Sequence, residues 1–359
     1  SSATRGLFVD GASAGTLTFR PLYNWDMWET VETTVQLSAG LHSVVLWDGA
    51  GNTGAINLDN MVVLEQTTPA ARSATSLWMN NWSNIVGVHM ASKLSPADTG
   101  TYGPRLAELH WSGDWGTNQL NDATGFFRDE TSATKYNNAH AFDSEAWMES
   151  DGTVTVRYLN YNGAGVPVQV TKQYAMVPNQ NFVVVKYTFQ NLTNSARTFN
   201  FLEQAHLSNK TSGNPTPNWQ HGWWDVSRNA LGTDMSQSGQ FYIELGAFQT
   251  MDSHQVGNDA NSNPADVNSA PWYQFDSAGT LKNNNDIWSQ NLDLGFQKSI
   301  SLAANGSASV ALYYAIGCTQ AAAESAVDTA RAQTAAYWFT QTATSYTNWL
   351  NAGKRISLS

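Results

Sequence analysis

Three tryptophans crowd into Asn218-Trp-Gln-His-Gly-Trp-Trp-Asp225, beside Gln220, His221 and Asp225. Indoles offer flat apolar faces, while amide, imidazole and carboxylate groups offer directed hydrogen bonds. That combination suits a ring that is apolar on its faces and hydroxylated at its rim, as a sugar is. Trp219, His221, Trp223 and Trp224 are therefore candidate carbohydrate contacts, expected on a long loop from Asn209 to Arg228. The competing reading is packing, against neighbouring strands or a further domain; Trp111 and Trp115 carry the same two readings.

Hydrolysis of a glycosidic bond needs two carboxyl groups facing each other across it. Glu108, Asp114, Glu130, Glu145, Glu149, Glu203 and Asp225 have the right chemistry, but no motif singles out a pair. No catalytic residue is assigned. His140 with Asp143 and Glu145, or Glu203 with His206, could instead mimic the His/carboxylate sites of mutarotase-like sandwiches. From Asp252 to Asp293 the chain is dense in oxygen ligands: Asp252, Asn258, Asp259, Asn261, Asn263, Asp266 and Asn268, then Asn283 to Asp286. Calcium takes six to eight such oxygens, although Asn and Asp in clusters also make turns. No His/Cys spacing suggests zinc, no Gly-rich loop cradles phosphate, and no nucleophile-elbow Gly-x-Ser-x-Gly occurs.

Composition narrows the field. The 359 residues include 15 Trp, 14 Phe and 13 Tyr in a chain only 13% charged, with a formal net charge of −11. An acidic chain without a Lys/Arg cluster has no face for nucleic acid. No apolar run is long enough to span a bilayer. One cysteine, Cys318, rules out an internal disulfide. That fits a cytosolic protein or a bacterial secreted one, and secretion is the expectation carried forward. The abrupt opening Ser1-Ser2-Ala3-Thr4 leads us to expect a processed or excerpted piece.

The elements that must hold these residues are strands. Thr153–Asn160, Val166–Tyr174, Phe182–Phe189 and Arg197–His206 alternate apolar and polar residues at period two. Asn, Gly and Pro turns separate them, so they read as antiparallel strands with one buried face. Short strands also fill residues 1–66, too small a unit to hold much core. Residues 67–75 are polar and aperiodic, a linker. Residues 76–318 form a larger β unit. Residues 319–359 turn helical, with Thr319 as N-cap of an Ala-rich stretch and Tyr337, Trp338, Tyr346 and Trp349 on a second helix. Those aromatics need a surface to cover.

Two resemblances complete the picture. Val9-Asp10-Gly11, Trp25-Asp-Met-Trp28, Leu37-Ser-Ala-Gly40-Leu-His-Ser-Val-Val-Leu46 and Ile56-Asn-Leu-Asp59-Asn-Met-Val-Val63 resemble the C-terminal half of carbohydrate-binding module family 35. That resemblance implies sugar contacts at Asn57 with Trp25 or Trp28, and a structural calcium held by Asp59. The family's N-terminal strands and their calcium ligands have no counterpart here. A large sandwich followed by helices ending in Tyr346-Thr-Asn-Trp349-Leu350 resembles the N-terminal domain and linker of bacterial glycoside hydrolase family 15. It implies a mainly β fold: a partial jelly-roll sandwich, then a large antiparallel super-β-sandwich with C-terminal linker helices. It also implies an (α/α)6 catalytic domain outside these residues and an α-glucan or oligosaccharide as ligand. A free-standing lectin-like protein and a complete mutarotase- or lyase-like sandwich enzyme remain the alternatives.

Overall fold

A computed structural model describes residues 3–19, 42–56, 76–79, 85–91, 108–111, 120–131, 142–149, 151–161, 167–175, 180–207, 220–234 and 242–351, with isolated positions between 31 and 37. The described residues are mainly β and antiparallel throughout their named ladders. The chain divides into two units, one of residues 1–69 with 163–165 and one of the remainder.

In the first unit, β1 (Ala3–Val9) pairs with β2 (Ala12–Phe19) on one side and β3 (Val44–Trp47) on the other. Val9 faces Ala12, so Asp10-Gly11 is a two-residue hairpin loop with both residues at positive φ, 50° and 80°. Asp-Gly is the pair that tolerates this backbone and matches the strand twist. The Asp10 carboxylate then accepts the Ser43 amide at 2.8 Å and pairs with His42 at 2.7 Å, tying the hairpin to the approach of β3.

The second unit opens with β4 (Ser76–Met79), β5 (Ile85–Ala91) and β6 (Glu108–Trp111), a small sheet. There follow β7 (Leu120–Asp129), β8 (Phe142–Met148), β9 (Val154–Tyr161), β10 (Val168–Ala175), β11 (Phe182–Asn191), β12 (Arg197–Leu207), β13 (Gln220–Asp225), β14 (Ala230–Asp234), β15 (Tyr242–Ala247) and β16 (Ser253–Asn258). Helix α1 (Pro271–Ala278), β17 (Asp286–Ser289), β18 (Leu292–Leu302), β19 (Ser307–Gly317), α2 (Gln320–Arg331) and α3 (Ala335–Asn351) complete the order. A nine-stranded sheet, β17-β13-β14-β15-β19-β11-β10-β9-β8, faces a four-stranded one, β16-β18-β12-β7. Between them lies the main core, with Val183, Val185, Tyr187 and Tyr314 from one sheet against Phe127, Phe199, Phe201 and Phe296 from the other.

The four central strands do not share one sheet. β12 leaves its predecessors and joins the facing layer. Asn191 builds the corner: its side-chain oxygen accepts the Thr193 amide, and its nitrogen donates to the carbonyls of Ser195 and Ala303. A corner held this way redirects the chain across the core while leaving period-two alternation intact on both sides.

Helix α2 and the start of α3 find a surface within the chain. Thr319 caps α2 as expected, its side chain accepting the Ala322 amide at 3.1 Å. Ala326, Val327 and Ala330 of α2 and Trp338 of α3 form a second core with Phe182, Val184, Tyr313 and Ala315 on the outer face of the larger sheet. The Trp338 indole donates to the Ala330 carbonyl at 2.8 Å and meets Phe182 edge-on. The start of α3 therefore needs no other domain to bury its tryptophan. None of the helices among the described residues is long and apolar enough to cross a membrane.

Candidate functional site

The segment read as a long aromatic loop is, from Gln220 onward, a β-hairpin. β13 and β14 pair from Asp225↔Ala230 to His221↔Asp234. The turn is made by Asp225, which accepts the amides of Ser227 and Arg228, and by Asn229 at φ 49°. Burial works against ionisation of Asp225, but hydrogen bonds from Ser227 and Arg228 outweigh it and hold its carboxyl below the usual range. Loop composition hid the strand, because Gly222 and the polar turn residues diluted its alternation.

Strand geometry then sorts the candidates by face. Successive residues point to opposite sides, and register partners share a side. One row across β17, β13, β14 and β15 reads Trp288, His221, Asp234, Tyr242; the next reads Asp286, Trp223, Gly232, Glu244. Strands lie about 4.8 Å apart, so four of them span about 14 Å, enough for a short oligosaccharide. Both rows lie on the outer face of the larger sheet, the side opposite its main core.

At the open edge the rings form a strip. His221 stacks parallel to Trp288, centroids 4.6 Å apart and planes within 8°, and lies 5.5 Å from Trp223. Its Nε2 donates to Asp286 at 2.9 Å, which fixes the imidazole plane. The Trp223 indole lies over Gly232, where a Cβ would sit 2.4 Å from the ring, so only glycine admits this packing. Trp288 remains 51% exposed, and the carboxylate of Asp286 is more open still. Beside Trp288 is a depression of about 200 Å³ lined by Asn258, Ser289, Gln290 and Asn291. An exposed indole backed by a fixed imidazole, with amides and a carboxylate at its margin, is equipped to stack on a sugar ring and bond its hydroxyls.

A larger cleft, about 660 Å³, lies between residues 229–250 and the α2–α3 turn. It lacks an indole, and its amides serve the backbone. Asn229 donates to the carbonyls of Ala247 and Gln249, and Gln249 accepts the Ala311 amide. The strip is the better-equipped site.

Trp224 is separated from this strip by its position in the alternation. It points inward, stacks on His254 at 4.1 Å and meets Phe296 edge-on, closing the space between the two sheets. Burial lowers the pKa of His254, with the Asn285 side chain acting in the other direction. Trp224 is thus partly buried against the main core, on the face opposite the strip. Trp25, Trp28, Asn57, Asp59 and Trp219 lie outside the described residues, as do Asp114, Trp115 and His140. The backbones of Glu108, Trp111, Asp143 and Glu145 are described, but not their side chains.

The described carboxylates do not converge on a bond to be cut. Glu203 is fully buried between the sheets, accepting from Tyr187 OH at 2.5 Å, Tyr314 OH at 2.7 Å and Lys172 Nζ at 3.3 Å. Its pairing with His206 fails, because residues three apart on one strand face opposite ways. Glu149 accepts from Thr155, and Glu130 pairs with Arg128. Glu244 is 1% exposed, with neither oxygen hydrogen-bonded. Burial, then Glu324 and Asp225, push its carboxyl up to about 8. The Asn/Asp-rich segment makes turns, as its composition allowed: Asn258, Asn261, Asn263 and Asp266 each accept the amide two residues on.

Trp288 escaped the sequence reading, and Asp286 entered it only as one of many oxygen ligands, not as a partner of His221. Asp286-Ile-Trp-Ser289 alternates, but four residues after Asn283-Asn-Asn285 give little periodicity to weigh against turn composition.

Comparison with known proteins adds a direction. No family model matches the chain. It is 49% identical over 61 residues to a cycloisomaltooligosaccharide glucanotransferase of Niallia circulans, covering 17% of this chain and 6% of that protein. It is 31% identical over 86 residues to a 1,6-alpha-glucosyltransferase of Sporosarcina globispora, covering 21% of this chain and 7% of that one. Among solved structures, a bacterial glucoamylase complexed with acarbose superposes with a TM-score of 0.53 at 11% identity, over 82% of this chain and 40% of the other. That last likeness speaks for the fold alone. The chain spans only a small share of the length of these curated relatives.

Proposed function

We propose that this chain is a glucan-binding, non-catalytic part of a secreted bacterial α-glucan-active enzyme of the family 15 type or a glucosyltransferase. The observation that carries the proposal is the outward strip of Trp288, His221 and Trp223, fixed by Asp286 and bordered by amides. The two sequence relatives support the substrate class through their names, and the glucoamylase likeness supports the sandwich fold. An (α/α)6 barrel elsewhere in the protein would perform the chemistry, with this part holding glucan near it. The first unit would add contacts through Trp25, Trp28 and Asn57, with a structural calcium at Asp59, on its resemblance to a binding module.

Affinity electrophoresis tests this. Migration of the chain should be retarded by dextran or soluble starch in the gel, and Trp288→Ala should restore much of the lost mobility. Equal migration of both proteins with and without polysaccharide would refute glucan binding at this strip. A free-standing binding protein is the second reading, favoured by the way α2 and Trp338 pack on their own sandwich. Recovery of a longer native polypeptide carrying the hydrolase would decide against it.

A further inference from the structure

On the outer face of the smaller sheet, one register row brings together residues that composition scattered. Asp122 on β7, His206 on β12 and Asp293 on β18 occupy paired positions on three adjacent strands. Asp259, just past the end of β16, joins them in space. Nδ1 of His206 lies 2.7 Å from Oδ1 of Asp293 and 3.8 Å from Oδ1 of Asp259. We propose that His206, Asp259 and Asp293 hold a divalent transition-metal cation such as Zn²⁺ or Mn²⁺, clasping β12, β18 and the loop after β16.

The three donor atoms are gathered closely enough for one ion to reach them all. At 3.8 Å Asp259 is too far from His206 for a hydrogen bond. Ligands about 2.1 Å from one ion lie about 3 to 4 Å from each other. The His206–Asp259 separation fits that range, the three donor atoms fall within 4.8 Å of one another, and an ion would open the 2.7 Å hydrogen bond between His206 and Asp293. Asp293 has no exposed surface, which a carboxylate accepts only when paired or bound to a metal. Its second oxygen accepts Gln204 Nε2 at 3.1 Å, and Gln204 in turn accepts the Trp272 amide at 2.8 Å. This is the outer support that aims a ligating carboxylate. Asp259 is 46% exposed, leaving the third ligand open to solvent for ion entry. An imidazole among carboxylates selects zinc or manganese over calcium, which prefers oxygen alone. The ligands are distant in sequence, so spacing could not reveal them.

The test is isothermal titration of the metal-stripped chain with ZnCl₂, MnCl₂ and CaCl₂ in turn, repeated on Asp293→Asn and Asp259→Asn. The expected result is one site per chain for zinc or manganese, weakened at least tenfold in both variants. Thermal unfolding of the wild type alone should shift upward with the ion, because a ligand of the native state stabilises it. Asp259 is on the surface, so that variant folds whatever happens to Asp293→Asn. No heat of binding at millimolar metal, equal affinity in wild type and Asp259→Asn, or a preference for calcium would overturn the proposal. Glucan retardation measured on the same samples keeps this result separate from the fate of the strip.

Discussion

The interior of the sandwich and the open edge of its larger sheet are built from the same chemical parts. In the interior, Glu203 is surrounded by Lys172, Tyr187 and Tyr314, with Lys172 also over the Tyr174 and Tyr187 rings. At the edge, Asp286 is joined to His221, Trp288 and Trp223. Each has a carboxylate, a nitrogen donor and aromatic rings. The difference is water. Lys172 and Glu203 have no exposed surface, so every polar atom must find its partner inside the protein, and burial and the Glu203 charge raise the pKa of Tyr187. The edge cluster keeps Trp288 and Asp286 in solvent, where a ligand can replace water. Inside, these groups stabilise a fold; outside, they are available for recognition.

Mutation should separate the two regions. The largest effect is expected from Glu203→Ala, which strands Lys172 in the core and should cost about 3 to 5 kcal/mol in urea unfolding. Glucan affinity of the fraction that stays folded should be unchanged; a loss of affinity at full stability would erase the distinction.

Glu244 sharpens the comparison from between the regions. It follows Trp223 and Gly232 in their row but lies buried, facing Asp225, Arg228, Glu324, Asp328 and Tyr313. An acid whose folded pKa is about 8 keeps its proton while the unfolded chain releases its own near 4.5. Folding therefore loses stability as pH rises from about 4.5 to 8, then levels off. A shift of that size corresponds to on the order of 5 kcal/mol. Glu244→Gln should flatten this slope in denaturant titrations across that range. An unaltered slope would show that the carboxyl reaches water.

At the edge the expected order is reversed. Trp288→Ala should weaken oligosaccharide binding at least tenfold while changing stability by less than about 1 kcal/mol, since a half-exposed ring contributes little to the core. The smallest effect belongs to Asp286→Asn, which keeps the shape but loses the charge that fixes His221; affinity should fall about two- to fivefold by calorimetry. A larger fall than for Trp288→Ala would make the carboxylate the main contact.

Much of the architecture was legible from residue pattern. Period two located β9 to β12 within a residue or two, and Thr319 marked the start of α2. The assignment of β12 to the opposite layer was not legible, because alternation reports which residues are buried and says nothing of the sheet that buries them. The site was half legible. His221 and Trp223 were named as candidates for their chemistry and share the outward face, but Trp224 was grouped with them until strand parity turned it inward. Trp288 is joined to them only through the pairing of β13 with β17, a contact between residues more than sixty positions apart. The row of Asp122, His206 and Asp293 is hidden in the same way.

The indole N–H groups offer the most direct test. In a ¹⁵N-tryptophan-labelled chain titrated with isomalto-oligosaccharide, the Trp288 and Trp223 indole resonances, assigned by single substitution, should shift saturably together. Those of Trp224 and Trp338 should stay in place. Shifts confined to tryptophans outside the strip, or none at millimolar sugar, would contradict a glucan site on this edge.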